Sequence, residues 1–373
     1  MSIEKISNRQ FATILFMMRV TIVLSLLPLL TTGEARQDAW AAAIITAVGL
    51  ALEVLLIGGL GVRYPHLTVV EYSRKLLGGV VGTAVSAVIL WQLVHMAATD
   101  VRVYAELMAS GYLPETPMVV IVGGFLAVAA LTAYLGIESV GRTADALVPL
   151  YVLFIVATIV GALSKFDVGN LEPVLSRGWG PVLSSAATPV GIGAQLLTLG
   201  VVIPNLTMPE RAVRSALLAI TFAGLTFILA SITIVGVLGP ELGAQASFPF
   251  LEVARMIVIA RAIARIEALG IFAWGVGLLV GSSLMLYCSC RALAQLLGLA
   301  DYRPVVLPLA AIVAIHSVHG YRDLFSVTAF FRPPGFPLYI ASVMLIPYGL
   351  LWAGHLIRAA RQARDRKSGG RAG

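Results

Sequence analysis

The run Thr188-Pro189-Val190-Gly191-Ile192-Gly193-Ala194-Gln195 sits inside an apolar stretch, residues 185 to 204, that is long enough to cross a bilayer. Proline removes a backbone donor and glycine frees the main chain, so a helix is expected to loosen here and expose amides or carbonyls. Within a membrane such open backbone persists only where protein or a cavity covers it. Transporters built from inverted repeats place broken helices of this kind at their binding sites.

Working outward, apolar runs of similar length recur along the whole chain, at 11–31, 39–62, 79–110, 117–135, 143–163, 185–204, 213–239, 266–298, 304–319 and 336–358. Ten spans divide into five and five, with the broken run as the first span of the second half. The expected fold is therefore all-α and multispanning, about ten transmembrane helices in a five-plus-five inverted-repeat, transporter-like arrangement. Residues 1–373 read as one integral membrane domain ending in a basic tail, 359–373. Span one reads Met18-Arg19-Val20-Thr21-Ile22-Val23 at its middle, with no glycine, so its own break is not written in the sequence.

Composition supports this reading. Of 373 residues 59% are hydrophobic and 12% charged, with mean hydropathy +0.93, against roughly 25% charged in soluble domains. An ordinary soluble enzyme is excluded, and continuous apolar runs exclude an outer-membrane barrel. The net charge of +7 is weighted toward the tail, which reads as a cytoplasmic flank and not a nucleic-acid surface. Lys and Arg outside the spans or near their ends divide 16 to 8 in favour of both termini inside. The N-terminus has no small-residue cleavage pattern and reads as a retained first helix. Cys288 and Cys290, one residue apart in an apolar helix, read as free thiols without a metal. No nucleophile–base pair, phosphate loop or paired catalytic acids occur, so neither enzymatic activity nor a cofactor is expected.

Ionisable groups inside spans are costly and mark partners or function. Gln92, His95, Thr99, Arg102 and Glu106 recur at three- and four-residue intervals on one face of span three. Arg102 and Glu106 are expected to form a structural ion pair, such that removing both charges harms less than removing one. Asp100 falls off the stripe and is expected to meet a neighbouring helix or the interface. Arg19 either meets Glu53 of span two or snorkels to the interface. Segment 248–265 reads either as an amphipathic helix at the outer interface or as a continuation of span eight.

These residues resemble the spore germination permeases, the B subunits of nutrient germinant receptors within the amino acid/polyamine/organocation transporter superfamily. The resemblance covers roughly residues 5 to 360. It rests on Ile6-Ser7-x-x-Gln10, Leu27-Pro28, Asp38-Ala39-Trp40, Tyr64-Pro65, Thr68-Val69-Val70-Glu71-Tyr72 and Leu77-Gly78 in the first part of the chain. Arg102-x-x-x-Glu106, Leu113-Pro114-Glu115-Thr116-Pro117, Gly136-Ile137-Glu138-x-x-x-Arg142 and Asn170-Leu171-x-Pro173-Val174-Leu175-x-x-Gly178 follow. Arg255-Met256-Ile257, Arg265-Ile266-Glu267-Ala268 and Trp274 complete the series. No one motif is diagnostic; their order over ten spans is.

The resemblance implies a broken-helix inverted-repeat fold and binding of a small nutrient such as an amino acid. It also implies assembly with an A subunit and a lipoprotein C subunit in the inner membrane of a bacterial spore, where ligand binding triggers germination. Two departures from the family stand out: Thr21 and Val23 stand where glycines are usual, and Gln195 stands where a glutamate is usual. The expected ligand-binding residues are Gly191, Gly193 and Gln195 on span six, facing Thr21, Val23, His95 and Thr99 on spans one and three. A secondary transporter of amino acids or similar small organic ions is the alternative, and a structural scaffold the third.

Overall fold

The structure, a computed structural model, describes residues 4–25, 34–246, 248–257, 266–332 and 334–369. Among the described residues it is helical throughout, with no strand. Seven helices are long and apolar enough to cross a membrane, and Met118–Tyr134 and Arg303–His319 are shorter apolar helices. With Asn8–Ser25 these supply the ten spans.

Span one is Asn8–Ser25, span two Ala39–Gly61, span three Gly79–Gly111, span four Met118–Tyr134 and span five Ile137–Ala162. Span six begins as Trp179–Ile192, span seven is Ala212–Gln245, span eight Ile266–Leu297 and span nine Val306–His319. Span ten runs through Gly335–Ile340, a π turn at Ala341–Leu345 and Ile346–Gly369. Span five starts six residues ahead of the apolar run, because Glu138 and Arg142 pair along its first turns outside the apolar stretch. Span seven breaks at Gly239, whose φ of 74° only glycine adopts easily, with Pro240 opening a further short stretch of helix.

Local chemistry explains the helix starts. Ser7 and Gln10 form a reciprocal cap: Ser7 N donates to Gln10 Oε1 at 3.0 Å and Gln10 N to Ser7 Oγ at 3.1 Å. A short helix, Val69–Leu77, precedes span three, and the Glu71 carboxylate accepts from Thr68 N at 2.7 Å.

Two sets can be traced in the packing, bridged by span eight, which also packs on spans one and five. Span seven packs on spans one and two, and span two on span six; span eight packs on spans three and four, as does span nine. Each set therefore holds two spans of the first half and their counterparts five spans later, which is the mark of the five-plus-five repeat. A short backbone link joins the halves: Ile6 N donates to Asn205 O at 2.9 Å and Thr207 N to Ile6 O at 3.0 Å. Exposed Val152, Val156 and Val160 on span five, with Phe222, Leu225 and Leu229 on span seven, form apolar stripes at helical spacing. They suit contact with lipid chains.

The segment after span seven corrects one expectation. Pro249–Arg255 is a short helix whose Phe250, Leu251, Val253 and Ala254 are buried against spans one, five, seven and eight. Its apolar face thus meets protein, not the bilayer interface, while Glu252 and Arg255 pair outside it at 2.7 Å. Residues 258–265, the rest of that segment, lie outside the described residues.

Candidate functional site

Span six loosens where its sequence indicates. The α-helix ends at Ile192, Gly193–Thr198 form 3-10 turns, one α turn follows at Leu199–Val202, and Ile203–Asn205 are again 3-10. A 3-10 stretch within a span often marks a hinge. Span one, by contrast, stays α-helical over Asn8–Ser25.

At this turn Arg19, only 1% exposed, reaches from span one into span six. Its Nη1 donates to Ile192 O at 3.1 Å and to Gln195 Oε1 at 3.2 Å. The Gln195 Nε2 donates to both Asp100 oxygens, at 2.9 and 3.2 Å. The amide orientation is dictated by chemistry, since only its oxygen can accept from a guanidinium and only its nitrogen can donate to a carboxylate. Span one, span six and span three are thereby joined through Arg19, Gln195 and Asp100. This corrects the expectation that Arg19 either pairs with Glu53 or snorkels: no ion pair joins it to Glu53 among the described residues.

Glu53, 5% exposed, lies against the same turn at Gly193. Its carboxylate, with the Leu50 side chain, occupies the place that a Cβ at residue 193 would take, so only glycine allows this approach. Gly191 has a different neighbour: a Cβ there would meet Phe336 Cε1 of span ten at 2.7 Å. Beside Asp100 and Ile192 is a cavity of about 10 Å³, walled also by Ile22, Thr99, Leu278 and Phe331. That is room for about one water, so a nutrient would need these walls to part.

The other expected residues are placed elsewhere. The Thr21 hydroxyl lies 2.7 Å from Tyr151 Oη of span five, within reach of Met17 O, and fills the space beside Gly277 of span eight. None of these neighbours is on span six. The side chain of Val23 lies outside the described residues. His95 Nδ1 is 2.8 Å from His316 Nε2 of span nine, and Thr99 Oγ1 is 2.9 Å from Tyr321 Oη. Trp91, Phe330 and Tyr339 pack around the His95 ring. His95 thus belongs to an aromatic cluster between spans three and nine, whereas Thr99 also touches the small central cavity. Asp100, off the polar stripe of span three, meets Gln195 of span six, and His316 is the participant that the sequence reading misses. An ionisable side chain within an apolar run was the available signal.

Arg102 and Glu106 do pair, with Nη2 to Oε1 at 2.6 Å and Nε to Oε1 at 2.8 Å. Arg102 also serves backbone. Nη1 donates to Ser317 O, Val318 O and Tyr321 O at 3.1, 3.0 and 2.7 Å, and Nη2 to Arg322 O at 2.8 Å. It therefore caps the open C-terminal carbonyls of span nine. Removing Glu106 as well would leave those four carbonyls without their donor, which weighs against the expected compensation in the double variant. Cys288 and Cys290 are buried free thiols.

A buried polar chain hung on a loosened span, inside paired helix sets repeated five spans apart, defines a membrane protein of the inverted-repeat transporter class. Solved structures agree on that fold. A structure of MhsT in complex with L-phenylalanine superposes with TM-score 0.64 at 14% identity, over 95% of this chain and 99% of that one. Mhp1, a nucleobase-cation-symport-1 family transporter with bromovinylhydantoin bound, superposes with TM-score 0.68 at 13% identity, over 96% and 80%.

The family model for spore germination proteins matches residues 5–323, and the chain belongs to that spore permease family. Curated relatives from Bacillus subtilis (strain 168) include spore germination protein KB, 26% identical over 321 residues, 84% of each chain. Spore germination protein YndE is 23% identical over 294 residues, covering 78% of this chain and 81% of the relative. This is a multi-pass, germination-related membrane protein or transporter, with permeases and transporters and not enzymes among its family and fold neighbours.

Proposed function

We propose that this chain is the membrane subunit of a spore nutrient germinant receptor, which binds a small nutrient such as an amino acid and triggers germination. In this reading it assembles with A and C subunits in the inner membrane of the spore, and the nutrient binds where spans one, three and six meet. The observation that carries it is the chain from Arg19 through Gln195 to Asp100, anchored on the Ile192 carbonyl of the loosened turn. A ligand that altered this turn would shift three spans at once. Discrete rearrangement of packed elements of this kind is how a binding event becomes a signal. The relatives named as germination proteins support the reading, as does an amino acid bound by the MhsT fold.

Deleting the chain from its spore-former tests it. Loss of the response to one class of nutrient, with other responses kept, is expected. The second reading, a secondary transporter of amino acids or similar ions, is favoured by the fold of MhsT and Mhp1. Normal germination after deletion, with gradient-driven accumulation of an amino acid in proteoliposomes, would establish that reading instead.

A further inference from the structure

Spans five and seven each pack closely on span one but only sparingly on each other. The gap is a groove of about 700 Å³ that opens toward the bilayer, floored by Phe16 of span one and walled by Val152 and Ile159 of span five and by Phe222 and Leu229 of span seven. From Ser215 to Leu229 it follows span seven for about 21 Å, at about 1.5 Å per residue. That is longer than one leaflet's half of a hydrocarbon core about 30 Å thick. Thr13 and Thr226, the hydroxyls along this length, donate to carbonyls of their own helices, Arg9 O at 3.1 Å and Phe222 O at 2.9 Å. Beyond its mouth the groove therefore offers a visitor an apolar surface.

The mouth, where span one begins, is different. Asn8, Arg9 and Ser215 line it. Arg9 gives Nη2 to Asp145 Oδ2 at 2.8 Å, and its side chain is 80% exposed, so its other N–H groups are open to a second acceptor. Ser215 Oγ accepts from Asn8 Nδ2 at 3.3 Å, which leaves the hydroxyl hydrogen to donate. Around this end Lys5, Arg211 and Arg214 are exposed and make no ion pair among the described residues, against Glu210 as the one acid in the same condition. A cationic mouth on a long apolar groove matches an amphiphile with an anionic head and a long tail. The volume favours a chain over a protein segment. A helix about 10 Å across would need on the order of 1600 Å³ over the same length.

We propose that the groove between spans one, five and seven is a binding site for an anionic membrane phospholipid, an acyl chain lying along Phe16 and Phe222 and the phosphate held by the Arg9 guanidinium and the Ser215 hydroxyl. The lipid bridges two walls that scarcely touch and holds span one against both. Arg19, three residues beyond Phe16, anchors span one to Ile192 O and Gln195, so the occupied groove steadies the span on which the central polar chain hangs. The site is independent of whether the chain is a receptor or a transporter.

The test uses the full chain purified in detergent, wild type beside Arg9→Gln and Thr226→Trp. Each is titrated with phosphatidylglycerol, with phosphatidylcholine of the same chains and with glycerol phosphate. Native mass spectrometry counts the bound lipids, and thermal unfolding is followed alongside. Wild type is expected to retain one phosphatidylglycerol, to bind it about tenfold or more tightly than phosphatidylcholine, and to be stabilised by it. Glycerol phosphate, which lacks the chains, should do neither. Arg9→Gln alters an exposed pair, so it should fold normally and bind the two phospholipids alike. Thr226→Trp fills the groove from its wall and should lose the retained lipid; Ala12→Leu, on the floor, takes its place if the tryptophan variant fails to insert. Equal binding of both phospholipids by wild type would mean an ordinary lipid contact and overturn the proposal. Phosphatidylglycerol retained by the folded groove-filling variant would place the lipid elsewhere, and stabilisation by glycerol phosphate would reduce the site to a phosphate contact; either result overturns it. A photoreactive amino acid at position 152 that joins a second polypeptide in cell membranes, and no lipid, would also overturn it in favour of a docked helix.

Discussion

Replacing Arg102 with alanine removes one guanidinium and leaves five acceptors without it: the Glu106 carboxylate and the carbonyls of Ser317, Val318, Tyr321 and Arg322. The Arg102 side chain is 4% exposed and that of Glu106 16%, so solvent replaces little of what is lost. Breaking one partner of a buried pair costs about 3–5 kcal/mol, and the uncapped end of span nine places the expected loss toward the upper part of that range. Glu106→Ala is milder, about 1–2 kcal/mol, because Arg102 keeps its four carbonyls and loses one charged partner. The double variant should resemble Arg102→Ala and not recover. The assay is thermal unfolding of purified protein in nanodiscs with membrane abundance measured in parallel, and a coupling energy taken from the cycle. A double variant as stable as Glu106→Ala alone would refute the carbonyl-capping role and reduce Arg102 to a simple ion-pair partner.

Gly193→Ala should lose on the order of 1–3 kcal/mol, the usual cost of overpacking, because its new Cβ falls on the Glu53 carboxylate and Leu50. Shortening Glu53 to alanine in the same chain should restore part of that stability, and purely additive losses would contradict the contact. Gln195→Glu should weaken the join to span three by facing Asp100 with a second carboxylate in place of an amide donor. Asp100→Asn should relieve this in the same thermal assay, and no relief would argue that the two side chains do not meet. Outside the spans, Ser326 donates from its hydroxyl and its backbone N to Asp323, each at 2.7 Å, and holds that carboxyl below its ordinary range. A depressed folded pKa stabilises above the unfolded value and is lost as pH falls through the folded one. Protection of the amides of Leu324–Phe330, taken relative to their intrinsic exchange rates, should therefore fall below about pH 4, and Asp323→Ala should abolish that pH dependence.

Much of the architecture is written in local features. Ten apolar runs, the cap at Ser7 and Gln10, and the proline and glycines before Gln195 need only span length, capping chemistry and backbone freedom, and each appears where those demand. The Arg102–Glu106 pair is equally legible, because four-residue spacing on one helix sets its geometry. Partners between helices are another matter. Whether Arg19 meets Glu53 or Gln195 depends on the rotation of three spans, and no spacing within one span encodes that angle. The same ignorance let His95 and Thr21 be assigned to one wall, whereas they turn toward His316 and Tyr151. For Pro249–Arg255 the amphipathic pattern was visible, but a pattern does not say whether its apolar face meets lipid or protein.

The most direct test of the central claim is a structure determined with the amino acid that best stabilises the purified protein. The account predicts that molecule where spans one, three and six meet, beside Arg19, Gln195 and Asp100 at the turn of Ile192 and Gly193, with those spans spread apart relative to the arrangement described above. An amino acid bound instead in the aromatic cluster of His95 and His316, with Arg19, Gln195 and Asp100 untouched, would contradict it.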